Sequence, residues 1–141
     1  MKSASWNDCI DYNDSVKITP DKEKSKSLIE TSEERIKYSN KKINEKTANF
    51  IFEDYYSSLL ELIQALVLLN GYKADNHICL GFFIRDILKR EDLFFAFDDC
   101  RYKRNSLVYC RKRMDFETAN QSIEKCKRLI RELNLLLKGK L

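Results

Sequence analysis

Apolar residues recur at steps of three and four along most of this chain, the spacing that places side chains on one face of an α-helix. This pattern predicts five helices, over residues 20–46, 48–69, 77–89, 92–111 and 116–138. Only three Gly and one Pro occur in 141 residues, which argues against a turn-rich β fold. No segment is predicted to be a strand. The sequence therefore predicts an all-α fold, an up-and-down bundle of four long helices and one short helix.

Residue types at the helix ends support these boundaries. Favourable caps stand at four of them: Thr19 before Pro20, Asn70 before Gly71, Asp75 or Asn76, and Asp115. Residues 1–18 have no helical period and are predicted to form a loose N-terminal arm. Its apolar side chains could dock it onto the body or onto a neighbour: Trp6, Ile10 and Tyr12. Residues 19–138 are predicted to form the bundle.

The helix predicted over residues 48–69 is apolar around nearly its whole circumference. Such a helix is central in a bundle, or it buries one side within the protomer and another side against a second chain. Both arrangements are compatible with the pattern.

The cysteine spacing and the hydrophobic segments indicate which sites and which cellular location to expect. The five cysteines follow no C-x-x-C spacing and only one histidine is present, so buried reduced thiols are expected and neither a metal site nor a cofactor is predicted. The N-terminus lacks an apolar signal region, and the most hydrophobic segment is interrupted by Glu61 and Gln64. We therefore expect a cytoplasmic protein without membrane association.

Positive charge is concentrated in residues 101–113, which read RYKRNSLVYCRKR. This stretch holds six basic residues and no acidic one, whereas the whole chain is only +4. On a helix, Arg104 falls inside the apolar stripe, where an unpaired charge is costly. The guanidinium either snorkels or pairs with an acid such as Asp99, or it forms an anion site, for which phosphate is the best match.

The order of these features resembles the HEPN domains, over roughly residues 27–137. The resemblance is carried by the segment EDYYSSLLELIQALVLLNGYK, by His77 at the start of the next helix and by RNSLVY near the end of the fourth helix. It implies a helical homodimer that binds RNA or a nucleotide, and in many members a metal-independent ribonuclease of toxin or defence systems. Some members pair instead with a minimal nucleotidyltransferase antitoxin.

The family motif has an Arg, then a polar residue, then a His several positions later. Carried over, the Arg is Arg104 and the polar residue is Asn105, while Tyr109 stands five positions after Arg104, where the His belongs. Tyrosine is a poor base at neutral pH because its pKa is about 10, so catalysis is expected to be degenerate, and Tyr109 can also be read as a packing residue. Residues five apart on an ideal helix lie about 140° from one another, so a site made of both requires a helix end or a second subunit.

Three hypotheses remain at this point. In the first, Arg104, Asn105 and Tyr109 form a ribonuclease-like site whose nucleic-acid contacts come from four basic residues: Arg101, Lys103, Arg104 and Arg111. In the second, the chain is the non-catalytic protein partner of a nucleotidyltransferase. In the third, the basic stretch is only a solvated helix end. His77, the sole histidine, is interpreted as structural rather than catalytic.

Overall fold

The computed structural model describes residues 2–39 and 42–141. In these ranges the chain forms six α-helices, two short strands and one π-helical turn. In chain order they are α1 (Trp6–Asp11), β1 (Ser15–Lys17), α2 (Lys22–Tyr38), α3 (Ala48–Leu69), β2 (Tyr72–Ala74), α4 (His77–Phe82) with a π-helical continuation (Phe83–Ile87), α5 (Glu91–Tyr109) and α6 (Phe116–Leu137). The predicted all-α class is confirmed, with α2, α3, α5 and α6 as the long helices. None of the helices in the described ranges has both the length and the apolar content needed to span a lipid bilayer.

The centre of the bundle is α3, which packs against α2 on one side and α6 on the other. Its predicted bounds are confirmed, and 13 of its 22 residues are buried. The ring of Tyr56 stacks on Phe97 of α5 with centroids 6.0 Å apart. Burial within the protomer thus accounts for most of the apolar circumference, although Phe50 remains 65% exposed.

Residues 2–18 include a helix and a strand that pack on the bundle, so the prediction of a loose arm is wrong for them, whereas the suggested docking of Trp6 and Ile10 onto the body is confirmed. Trp6 is only 3% exposed, and its ring lies edge-on to Tyr72 and Phe83 at 5.4 Å from each. β1 pairs antiparallel with β2, with Val16 opposite Lys73, which also corrects the expectation that the chain has no strand. The partners of this segment lie more than 50 residues away in the sequence, where a local pattern does not reveal them.

A disulfide joins Cys9 of α1 to Cys79 of α4, with Cα atoms 6.0 Å apart. The expectation of five reduced thiols is therefore wrong for this pair. Cys100 and Cys126 are buried free thiols, as expected, whereas Cys110 is free and exposed. The bond fixes the N-terminal segment to the helix that His77 begins.

The first long helix begins at Lys22 with Asp21 as its N-cap, and not at Pro20 as predicted. The Ile18 amide donates to the Gly71 carbonyl at 2.9 Å, so the chain before the helix is held against the turn that follows α3. Gly71 has φ +83°, and a Cβ atom there would lie 3.2 Å from the Ile18 carbonyl oxygen. The chain consequently turns into the helix only after Pro20.

The same helix ends at Tyr38, whereas the prediction extended it to Lys46. Residues 40–41 of that prediction lie outside the described residues. Beyond them the Asn44 side chain accepts hydrogen bonds from the amides of Lys46 (2.9 Å) and Thr47 (3.0 Å). These bonds stabilise a turn in competition with helix, and α3 begins directly afterwards.

The remaining helix ends lie close to their predicted positions. Asp115 caps α6 by accepting from the Thr118 amide at 2.7 Å, as predicted. The fourth predicted helix, α5, begins at Glu91 and ends at Tyr109, two residues early. Arg111 has φ +57°, a left-handed conformation that ends a helix. Basic residues 111–113 therefore lie in the loop between α5 and α6.

Candidate anion-binding site

The Arg104 motif lies on the last turns of α5, where the helix passes over the end of the core. Buried Phe97 and Cys100 precede Arg104 on the inward face of α5. One turn after Cys100, the Arg104 guanidinium carbon reaches 5.9 Å from the ring centroid of Tyr56 and 5.9 Å from that of Tyr109. At the C-terminal end of the apolar face of α5, the Arg104 guanidinium thus lies between the rings of Tyr56 and Tyr109.

Arg104 has no carboxylate within ion-pair distance among the described residues. Asp99, which the sequence suggested as its partner, instead accepts from Lys103 Nζ at 2.9 Å and from Lys125 Nζ at 2.7 Å. No ion pair in the described ranges therefore neutralises Arg104, although the Asp75 carboxylate lines the same pocket. A partly buried guanidinium in this state favours the binding of an anion.

Arg104 and Tyr109 line one pocket of the same chain, although they lie on different faces of an ideal helix. Tyr109 is the last residue of α5 and is 74% exposed. The Arg104 guanidinium carbon lies 5.9 Å from the Tyr109 ring centroid, so the two side chains meet within one chain at the end of α5.

His77 faces the motif from α4. Asn76 caps that helix by accepting from the Cys79 amide at 3.1 Å, as predicted, and this cap sets the position of the next residue. His77 Nδ1 lies 3.2 Å from the Tyr56 hydroxyl oxygen, which agrees with a structural role for the imidazole. His77 also lines the pocket of Arg104, and sequence reasoning missed this proximity; the only signal was the position of the sole histidine at a helix start.

The protonation states of this pair follow from their surroundings. Burial, followed by the charges of Arg104 and Arg101, lowers the pKa of His77 below its ordinary 6.5. Burial raises the pKa of Tyr56 well above 10. At neutral pH the imidazole is therefore neutral and the phenol is protonated. If Tyr56 donates to Nδ1, His77 Nε2 carries the hydrogen; if Tyr56 accepts, Nε2 is free to take a proton.

The pocket between α4 and α5 has a volume of about 300 Å³. Its lining comes from the loop before α4, the start of α4 and the end of α5: Asp75, Asn76, His77, Ile78, Arg101, Arg104, Asn105 and Tyr109. All three motif residues and Arg101 thus line one pocket of a single chain. Arg101 is partly neutralised by Asp98 at 2.9 Å.

Two of the predicted nucleic-acid contacts lie elsewhere. Lys103 lines a second pocket on the α6 side of α5. Arg111 lines a third, beside Phe50 and Glu53. Neither side chain therefore lines the pocket of Arg104 within one chain, because α5 directs its successive side chains to different sides. Within residues 2–39 and 42–141 no cluster of His, Cys, Asp and Glu has the arrangement to hold a metal ion.

Comparison of the chain with protein-family models, with curated proteins and with solved structures found no match.

Proposed function

We propose that this chain is a HEPN-type RNA-binding protein that holds a phosphate group of RNA or of a nucleotide in the pocket between α4 and α5. The observation that carries the proposal is the Arg104 guanidinium, which has no carboxylate partner in the described part of the chain and lines a pocket with Arg101, Asn105 and His77. The planar guanidinium can donate two parallel hydrogen bonds to phosphate oxygens. The resemblance of RNSLVY to the HEPN motif supports the same assignment.

Each pocket residue has a role in this proposal. Arg104 supplies the charge and the bidentate contact, and the Asn105 amide donates a further hydrogen bond to the phosphate. Tyr109 presents a phenol hydroxyl, which can donate a hydrogen bond to a phosphate oxygen. Arg101 adds a weaker attraction because Asp98 already neutralises part of its charge.

Cleavage in this pocket needs a proton acceptor other than Tyr109. In a metal-independent reaction the 2′-oxygen attacks phosphorus, a base takes the 2′-hydroxyl proton, and an acid protonates the departing 5′-oxygen. The neutral imidazole of His77 can take this proton at Nε2 when its Nδ1–H donates to the Tyr56 hydroxyl oxygen, and the Tyr109 hydroxyl is the donor to the departing oxygen. We assign these roles to His77 and Tyr109 in the ribonuclease-like reaction, so turnover depends on His77 whereas binding depends on Arg104.

A homodimer remains part of the proposal, on the strength of the HEPN resemblance. The apolar circumference of α3 does not support it further, since most of that surface is buried within the protomer. Sedimentation of the purified protein at micromolar concentration tests it, and a species of monomer mass would contradict it.

A second candidate function is that of a protein partner of a nucleotidyltransferase. The exposed phenol of Tyr109 favours it, because this tyrosine is 74% exposed beside an arginine. Its oxygen can attack the α-phosphorus of a nucleoside triphosphate held by the enzyme, with loss of the phenol proton to a base of that enzyme and departure of pyrophosphate. Incubation with such an enzyme and a labelled nucleotide, beside a Tyr109→Phe variant, tests this candidate.

The main proposal is tested with end-labelled single-stranded RNA in EDTA, using a native gel for binding and a denaturing gel for cleavage. Arg104→Ala should abolish binding, and Arg104→Lys should restore it only in part because lysine lacks the planar fork. Arg128→Ala is the matched control. Arg128 of α6 is exposed and pairs with Asp92 of α5 at 3.4 Å, and Asp92 lies about 18 Å along α5 from Arg104. Equal binding by the wild type and Arg104→Ala would refute the proposal.

A further inference from the structure

Three exposed aromatic side chains form a line along the outward face of α5. Phe95, Tyr102 and Tyr109 follow one another at intervals of seven residues and are 63%, 68% and 74% exposed. Seven residues make nearly two helical turns, so the three side chains share a face and lie about 10 Å apart. We call this line the aromatic ridge.

Basic side chains flank the C-terminal part of the aromatic ridge on both sides. Residues 101 and 103 lie about 100° to either side of Tyr102. Arg101 belongs to the pocket of Arg104. Lys103 belongs to the second pocket, of about 430 Å³, whose wall also includes Tyr102, Lys112 and Arg113.

The charges of the second pocket are only partly compensated. Asp99 is shared by Lys103 and Lys125, and the Asp115 carboxylate also lines the pocket. Lys112 and Arg113 form no ion pair with any residue in the described ranges, and the Arg113 guanidinium lies over the Phe50 ring, 5.8 Å from its centroid. Both lie in the loop after α5, where the side chains are exposed. A second cationic surface therefore faces solvent across the ridge from Arg104.

The opposite end of the aromatic ridge has acidic residues beside it. Phe95 follows Glu91 and Asp92, and Asp92 pairs with Arg90 and Arg128. Asp98 and Asp99 lie between Phe95 and Tyr102 and are ion-paired as well. We therefore expect a polyanion to be attracted more strongly to the Tyr102 and Tyr109 end than to the Phe95 end. The ridge thus provides its own control, because Phe95 has similar exposure and less favourable surroundings.

We propose that the C-terminal half of α5 binds an extended single-stranded RNA. Its bases stack on Tyr109 and Tyr102, and its phosphates are held by Arg104 in the first pocket and by Lys112 and Arg113 in the second. This inference rests on the proposed function and names its ligand class: single-stranded RNA of several nucleotides, and neither a mononucleotide nor a duplex. Aromatic side chains stack on unpaired bases, whereas the bases of a duplex are already stacked on one another.

The inference is tested by fluorescence anisotropy with labelled oligouridine of increasing length. A duplex RNA and uridine monophosphate are compared as competitors. Affinity should rise with the length of the single strand until both pockets are filled. Tyr102→Ala should weaken binding of the longer strands about 5- to 150-fold. The double variant Lys112→Ala/Arg113→Ala should reduce the salt dependence of binding. Phe95→Ala should bind as tightly as the wild type.

Two results would overturn the inference: RNA binding by Tyr102→Ala equal to that of the wild type, or equal affinity for duplex and single-stranded RNA. A third would also overturn it: if Tyr102→Ala changed only the oligomeric mass measured by sedimentation, the ridge would be a contact between protein copies. The proposed function fails separately, through unchanged binding by Arg104→Ala. Loss of binding in Arg104→Ala with unchanged binding in Tyr102→Ala would leave the phosphate pocket standing and remove only the stacking track. Circular dichroism of each variant should show the same helicity as the wild type, which verifies that the substitutions leave the fold unchanged.

Discussion

Breaking the Cys9–Cys79 bond should lower the free energy of unfolding by about 4 kcal/mol. The bond closes a loop across 70 positions of sequence, and a cross-link of this span restricts the unfolded chain by about 4 kcal/mol. Both cysteines are fully buried, so in the reduced protein the two thiols remain packed in the core. The loss therefore comes mainly from the freedom gained by the unfolded state.

Urea unfolding followed by circular dichroism measures this loss in oxidised and reduced protein. With a slope of about 2 kcal/mol per molar urea, the midpoint should fall by about 2 M on reduction. Thiol titration in denaturant should find three free thiols before reduction, those of Cys100, Cys110 and Cys126, and all five afterwards. Cys110→Ser, at an exposed free thiol, is the control and should leave the midpoint unchanged. Five thiols in the unreduced protein, or equal midpoints, would refute this reasoning.

Three further changes test the packing, the titration and the backbone. Phe97→Ala should lower the free energy of unfolding by about 3–5 kcal/mol, because Phe97 is fully buried; a urea-measured loss below about 1 kcal/mol would contradict its central position. The lowered pKa of His77 means that the unfolded chain binds this proton first as the pH falls. Stability should therefore decline as the pH drops below about 6.5, and His77→Gln should flatten the decline; equal slopes for both proteins would count against the lowered pKa. Gly71→Ala should lower the free energy of unfolding by about 1 kcal/mol or more, since φ is +83° and the new Cβ atom would lie 3.2 Å from the Ile18 carbonyl oxygen. Thermal unfolding measures this loss, and Gly139→Ala in the exposed tail should cause a smaller one.

The long helices could be predicted because their signals are local. α6 begins at the residue that the capping pattern indicated, since Asp115 bonds an amide only three residues away, and the bounds of α3 match those predicted from its apolar pattern. The order of the N-terminal segment could not be predicted in this way. It depends on β1 meeting β2 and on Cys9 meeting Cys79, contacts that exist only after the bundle has formed.

The candidate site was predictable in its motif and not in its environment. The positions of Arg104 and Asn105 on α5 followed from the sequence. The lack of an ion-pair partner for the Arg104 guanidinium could not be predicted in this way. Asp99 bonds Lys103 on the same helix and Lys125 of α6, and the apolar pattern of α5 does not reveal either contact. The proximity of His77 likewise depends on how α4 packs against α5.

The central claim is that the pocket between α4 and α5 binds an RNA phosphate, and His77 reports on that pocket directly. It is the only histidine in the chain, so its ring protons give unique NMR signals. Titration with single-stranded RNA should shift these signals saturably and should raise the pKa of His77, because a bound phosphate anion favours the imidazolium. Both effects should be absent in Arg104→Ala. RNA binding that leaves the His77 signals unchanged, or the same shifts in Arg104→Ala, would contradict the account.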